Sequence, residues 1–255
     1  MILTDTHTHL YSEQFDDDRS EVVQKAIDAG IKRFFIPAID KDYYPAMFSL
    51  KKEFPEHIFL MTGLHPTHVK EDFEEELDIV KKNLETGSFC AIGEIGIDLY
   101  WDKTFFTQQQ QAFKKQIQWA KEYDYPIAIH CRDAFDPIFE ILEEEKDDSL
   151  YGIFHCFTGN KEQAERAIRL NMKLGIGGVV TFKNGKIDQY LKDIPLENIV
   201  LETDSPYLAP APYRGKRNES IYLLKVADKL SEIYGISMAE LARITTENSK
   251  QIFNL

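Results

Sequence analysis

Cysteine is scarce in this 255-residue chain: Cys90, Cys131 and Cys156 are the only three, and no two form a Cys-x-x-Cys pair. An odd, dispersed set argues against a disulfide framework and a thiolate zinc knuckle, and favours a reducing compartment. Long apolar runs are missing too. No stretch approaches the roughly 18 apolar residues of a membrane span, and Met1-Ile2-Leu3-Thr4-Asp5 is not a basic region leading into an apolar one. A soluble cytoplasmic protein without membrane attachment is expected. Basic residues are in deficit, 30 Lys and Arg against 43 Asp and Glu, for a formal net charge of -13. That field repels nucleic-acid phosphates at long range and excludes a nonspecific DNA coat protein. It leaves room for an enzyme that engages phosphate locally, through metal ions and a few basic side chains. No Gly/Ser/Pro-rich linker divides the chain, so one domain over residues 1–255 is expected.

What is present is a repeat of short β-rich apolar runs separated by amphipathic, charge-rich stretches. The pattern predicts eight strands, at 2–5, 33–37, 58–62, 89–93, 126–130, 151–155, 173–177 and 198–202, whose starts lie 22 to 37 residues apart, room for one helix each. Val22, Val23, Ala26, Ile27 and Ala29 set a helical stripe that Gly30 stops. Further helices are predicted at 42–53, 72–85, 105–122, 134–145, 160–170, 186–193 and 218–230, with one or two extra helices over 237–253 packed outside. Repeated βα units make either a (β/α)8 barrel or an open doubly wound sheet. No Gly-x-Gly-x-x-Gly follows the first strand, which favours the barrel, an α/β fold of the TIM type.

In such a barrel the carboxyl ends of the strands surround one mouth. His7 and His9 follow strand 1, Glu94 follows strand 4, His130 and His155 end strands 5 and 6, and Asp204 follows strand 8. Four of the seven histidines and two acids therefore fall at predicted strand ends. Imidazole with carboxylate suits zinc, manganese, iron or nickel better than an all-oxygen set would, and six ligands exceed what one tetrahedral ion needs, which argues for two divalent ions (Zn, Mn, Ni or Mg). His7 and His9, two apart in extended chain, can aim at one ion. Glu94, among glycines in Gly93-Glu94-Ile95-Gly96-Ile97-Asp98, can bridge two, while Asp204 is the better candidate for terminal ligand and proton acceptor. Glu202, two residues earlier and on the same face if the strand continues, would orient a histidine or a basic group, and exchanging these two roles is equally compatible with the sequence. Cys131 and Cys156 each follow a proposed ligand and should point away from the mouth, toward the helices.

These motifs, with Gly63-Leu64-His65-Pro66, His155-Cys156-Phe157-Thr158-Gly159, the segment 202–208 and Arg214-Gly215-Lys216-Arg217-Asn218-Glu219, resemble along the whole chain the TatD-type metal-dependent deoxyribonucleases, within the amidohydrolase-like barrels. The resemblance implies a metal site of His7, His9, Glu94, His130, His155 and Asp204 and hydrolysis of DNA phosphodiesters; Asp204 and Glu94 are the residues expected, from their own positions, to be catalytic. Thr8, Ile97 and Ser220 depart from the family pattern without touching a ligand position.

Arg214, Lys216 and Arg217 make a compact basic loop after strand 8, where barrels often bind phosphate, and Arg132 is a second candidate clamp. His65, Asp98, Tyr100, Phe157 and Tyr207 lie on strand-end loops and are expected to line the pocket, the aromatics offering faces to bases. His57 and His68 fall off the strand-end pattern and are expected at the surface. Three readings follow: a nuclease on single-stranded DNA or DNA ends, an esterase, lactonase or amidohydrolase on a small-molecule or aminoacyl substrate, and a non-catalytic binding protein. The complete ligand set weighs against the third, the basic loop against the second, and no obligate protein partner is evident.

Overall fold

The computed structural model describes residues 1–255. Eight parallel strands join one sheet in sequence order: β1 (Leu3–Asp5), β2 (Ile31–Ile36), β3 (Ile58–Thr62), β4 (Ala91–Asp98), β5 (Ile127–Arg132), β6 (Gly152–Phe154), β7 (Met172–Ile176) and β8 (Ile199–Leu201). Between them run α1 (Arg19–Asp28), α2 (Tyr44–Glu53), α3 (Phe73–Glu85), α4 (Phe106–Tyr123), α5 (Phe135–Glu144) and α6 (Lys161–Arg169). Helices α7 (Leu223–Tyr234) and α8 (Met238–Phe253) follow β8. The sheet closes where the chain beyond β1 meets that beyond β8: Thr6 N–H donates to the Leu201 carbonyl and Asp204 N–H to that of His7, both at 2.9 Å. The Asp5 carboxylate stitches the same seam by accepting from the Thr203 N–H and hydroxyl. This is the expected TIM-type barrel, and no helix is long and apolar enough to cross a membrane.

Alternation along the strands sends one set of side chains to the helices and the other inward. Val22, Val23, Ala26 and Ile27 of α1 belong to the larger, outer core with Phe34 and Ile36 of β2. The inward set is smaller. Phe35, Met61, Ala91, Ala128, Ile153 and Val200, one from each of six strands, pack with Ile252 and Phe253 of α8. Phe253 stacks on Phe35 with ring centroids 3.7 Å apart. Helix α8 thus seals the amino end of the barrel, and Asn248 fixes it there by donating to the Leu196 and Ile199 carbonyls at 2.8 and 2.7 Å. The segment 237–253 is one continuous helix, capped by the Ser237 hydroxyl, which accepts from Glu240 N–H.

Two helices differ from expectation. Residues 186–193 form two short 3-10 turns rather than an α-helix. Ile187, Leu191 and Ile194 are buried at helical spacing, yet Lys186 opens the segment in the left-handed region (φ 57°) and Pro195 closes it, leaving too little chain for stable α-helical turns. The helix predicted at 218–230 starts later: Ser220–Tyr222 is a 3-10 turn, and α7 runs on to Tyr234, where Gly235 at φ 65° ends it.

Candidate metal centre

Opposite the α8 floor, the barrel interior turns polar. Glu94 is set there by an interruption in β4, whose pairing with β5 shifts between Ile92 and Ile95. Ala38, beyond β2, donates its N–H to the Gly93 carbonyl and accepts from Glu94 N–H. Gly96 lets β4 pass close to β5, since a Cβ at its φ of 145° would fall 2.0 Å from the His130 carbonyl oxygen. His130 follows the inward Ala128 by two residues on β5, and His155 is placed past the end of β6 by its N–H to the Ile129 carbonyl. His7 and His9 lie past β1, where His9 N–H donates to the Ser205 carbonyl at 2.7 Å. The strand expected to carry Glu202 and Asp204 on one face ends at Leu201. Asp204 reaches the mouth through left-handed backbone (φ 56°) instead.

Glu94 is the hub. Its Oε2 lies 3.1 Å from His7 Nε2 and 3.6 Å from His9 Nε2, while its Oε1 lies 2.7 Å from His130 Nδ1 and 3.3 Å from both His155 Nε2 and His65 Nε2. Asp204 Oδ1 lies 3.4 Å from His9 Nε2. Two far ring nitrogens are held as well, His9 Nδ1 by the Tyr11 hydroxyl at 2.7 Å and His130 Nε2 by Asp98 Oδ2 at 2.9 Å, while His155 Nδ1 faces the Glu202 carboxylate, 3.2 Å from Oε1, as an ion-pair contact. Glu202 is fully buried under the site, and Gly175 makes room for it, since a Cβ there would sit 2.2 Å from Glu202 Oε2.

The charges are mutually dependent. Burial pushes Glu94 up, but His65, His155 and His7 outweigh it and hold the carboxyl well below the usual range. Burial opposes charge on His155, yet Glu94, Glu202 and Asp204 carry it up to about 10. His65 goes the other way, driven by burial to about 4. Asp204 would rise through burial but is kept low by His155 and His9. Buried acids that stay ionised against desolvation demand positive charge beside them.

Three groups of potential ligands converge, with donor atoms within 4.8 Å of one another: His7, His155 and Asp204; His7, His9 and Glu94; His65, Glu94 and His130. Three buried atoms of the site, His7 Nδ1, His155 Nδ1 and Glu202 Oε2, have no hydrogen-bond partner, a cost of roughly 1 to 3 kcal/mol each if left so. The donor set fits divalent cations such as zinc or manganese.

The mouth above is a cavity of about 750 Å³. His65, Asp98, Arg132 and Tyr207 line it as expected; Tyr100 does not, and instead packs against Trp101, which does. Other expectations need correction. Phe157 is buried against Phe135 and Phe154, because its N–H pairs with the Gly175 carbonyl and turns the ring toward α5. Arg217 grips Asp18 with two hydrogen bonds (2.8 and 2.6 Å), reaches Glu219 and lies over Phe15, so its charge is committed to the base of α1. Arg214 lies 3.6 Å over the Phe182 ring and donates to the Ala209 carbonyl; neither it nor the exposed Lys216 lines the cavity. Cys156 lines the mouth because left-handed backbone (φ 44°) breaks the strand alternation, and Cys131 packs on the core yet also shows an edge to the cavity. Burial pushes the Cys131 thiol up to about 12, which leaves it a poor nucleophile. His68 is a rim residue, 3.4 Å from Asp40, whereas His57 bonds the Lys32 carbonyl away from the site.

Sequence reasoning passed over Tyr11, Tyr43 and Trp101. Trp101, next to Tyr100 in a loop after the Glu94 strand, carried a readable signal; Tyr11 and Tyr43 owe their places to contacts that the sequence does not display.

Comparison with known proteins agrees with the barrel fold and with a metal-dependent hydrolase. The sequence model described as TatD related DNase matches residues 4–254. The chain is 39% identical over 255 residues, all of both chains, to the uncharacterised metal-dependent hydrolase YabD of Bacillus subtilis. It is 31% identical over 257 residues, 98% of this chain and 99% of the other, to the 3'-5' ssDNA/RNA exonuclease TatD of Yersinia pseudotuberculosis. Among solved structures, the TatD homologue YjjV of Escherichia coli K12 superposes with a TM-score of 0.93 at 28% identity, covering 99% of this chain and 98% of that one.

Proposed function

Since this chain belongs to the TatD-related DNase family and is a metal-dependent hydrolase, we propose that it cleaves phosphodiester bonds in single-stranded nucleic acid, at strand ends, with two divalent cations. The observation that carries the two-cation reading is Glu94: its two oxygens face different imidazoles, His7 and His9 on one side, His130, His65 and His155 on the other. His7, His9 and Asp204 would hold one ion, His130 and His155 the other, with Glu94 between. Bound there, the ions supply a water acidic enough to ionise near neutral pH and Lewis acidity toward a phosphoryl oxygen.

The chain's own groups do the rest. Asp204, kept ionised at the mouth, accepts the proton of the attacking water and can return it to the leaving oxygen. Tyr11, Asp98 and Glu202 set the rotation of His9, His130 and His155 from behind. His65, held neutral by burial, presents Nε2 beside the phosphate position as a hydrogen-bond partner. Arg132 is the only lysine or arginine lining the cavity and stabilises the added phosphoryl charge. A mouth of about 750 Å³ is small beside the girth of a duplex, which supports an unpaired end as the substrate. The name of the Yersinia pseudotuberculosis relative supports the same substrate.

The test is to strip the protein with a chelator, restore manganese, zinc or magnesium in turn, and assay end-labelled single strands of DNA and RNA beside a duplex, carboxyl esters and lactones. Metal-restored shortening of single strands is expected. Ester or lactone cleavage with intact oligonucleotides would overturn the reading in favour of a small-molecule hydrolase.

A further inference from the structure

Most large apolar side chains of this protein are buried, and the exposed ones are unevenly placed. Apart from Met1, Ile2 and Leu255 at the chain ends and Phe48 on α2, they are Tyr100, Trp101, Tyr207 and Leu208, which flank the mouth. Trp101 is 69% and Tyr100 54% exposed. Their rings meet edge to face, 87° apart with centroids at 4.9 Å, so the contact between them leaves ring faces uncovered. The Arg132 guanidinium lies over the Tyr100 ring, 3.9 Å from its centroid, and covers one face of it; it is 5.2 Å from the centroid of Trp101, the more exposed ring. A tryptophan left this open on a structured loop loses its hydrophobic contribution unless a ligand covers it.

The loop is tied to the chemistry by one carboxylate. Asp98 Oδ1 accepts the N–H groups of Tyr100 and Trp101 at 2.9 and 3.2 Å, while its Oδ2 binds His130 Nε2 at 2.9 Å. Asp98 is buried, so the aromatic pair is fixed relative to the metal centre. We propose that Trp101 and Tyr100, with Arg132, form a stacking subsite for an unpaired nucleobase adjoining the scissile phosphate.

This rests on the nuclease reading above and adds to it the device that holds the strand. A chain of net charge -13 with a single arginine and no lysine lining the mouth offers a polyanion little long-range attraction, so part of the affinity has to come from elsewhere. Aromatic faces bind any base, and only a base free of its partner strand can lie on them, which selects single strands without reading sequence. Arg132, its plane against the Tyr100 ring, keeps edge N–H groups for the phosphate that accompanies the base.

Trp101 and Trp119 are the only tryptophans, so a Trp119→Phe background isolates Trp101 emission. That protein is titrated with an uncleavable phosphorothioate single strand and with an abasic strand of the same length. Saturable quenching by the first and none by the second is expected; equal or absent quenching overturns the subsite, whatever the protein cleaves. In parallel, Trp101→Leu should raise KM for a base-bearing strand roughly ten-fold with kcat little changed, leave KM for an abasic strand unaltered, and be largely rescued by Trp101→Phe. A KM unchanged for both strands, or raised equally, also overturns it. Failure of the parent protein to cut any strand would instead refute the nuclease reading, and the quenching result would still decide whether a base binds here.

Discussion

Glu94 has five imidazoles within 3.6 Å and almost no solvent, which makes it the residue on which the site's charge balance turns. Glu94→Gln keeps its shape and removes its charge. Metal content, measured by elemental analysis after dialysis, and hydrolytic activity should fall together; full metal occupancy with lost activity would mean that Glu94 is not a ligand. Asp98→Asn is a milder change behind His130, expected to weaken metal affinity roughly 10- to 100-fold in a competitive chelator titration. The cysteines give a different prediction. Burial pushes the Cys90 and Cys131 thiols up to about 12 and Cys156 well above its ordinary value, so at pH 8 roughly one Cys90 or Cys131 thiol in ten thousand is ionised. An aromatic disulfide reagent should titrate almost no thiol in the native protein and all three in denaturant. Prompt reaction of the native protein would show that the mouth cysteines are activated.

At the scale of elements, α8 is the piece whose loss the barrel should feel most without feeling it in the chemistry. Phe253→Ala would leave a void against Phe35 at the amino end, and a destabilisation of about 3 kcal/mol is expected in urea unfolding, with kcat and KM at the opposite end unchanged. A loss of activity in a still-folded variant would contradict that separation. The strands were readable because each is a short apolar run bounded by charged helix, and the six proposed ligands because strand ends in a closed barrel share one mouth. Residues 186–193 misled because Ile187, Leu191 and Ile194 have helical spacing, while the backbone at Lys186 and Pro195 decides otherwise. The basic loop misled for another reason. Arg217 is neutralised by Asp18, 199 positions away in sequence, and no local pattern reveals that pairing. His65 was legible as a mouth residue, but its approach to Glu94 depends on how the loop after β3 folds back, with Thr67 bonded to His65 Nδ1.

For the whole molecule, a cation that binds only the folded barrel must raise its stability. At free metal one hundred times the dissociation constant the gain is about 2.7 kcal/mol, which for a chain of this length corresponds to a rise in Tm of roughly 5 to 10 °C. Calorimetry of chelated and restored protein checks this; identical melting curves would mean that the imidazoles and acids hold no ion in the folded state. The net charge of -13 implies a second whole-molecule behaviour, since repulsion between protein and strand is screened by salt.

The floor that Ile252 and Phe253 make beneath the barrel divides the molecule into an end that maintains shape and an end that performs work. Variation in the rim loops, where Trp101 and Tyr207 stand, can therefore proceed by small steps without undermining the scaffold. A laboratory campaign seeking new substrates would do best to randomise those loops and leave the sealed end untouched.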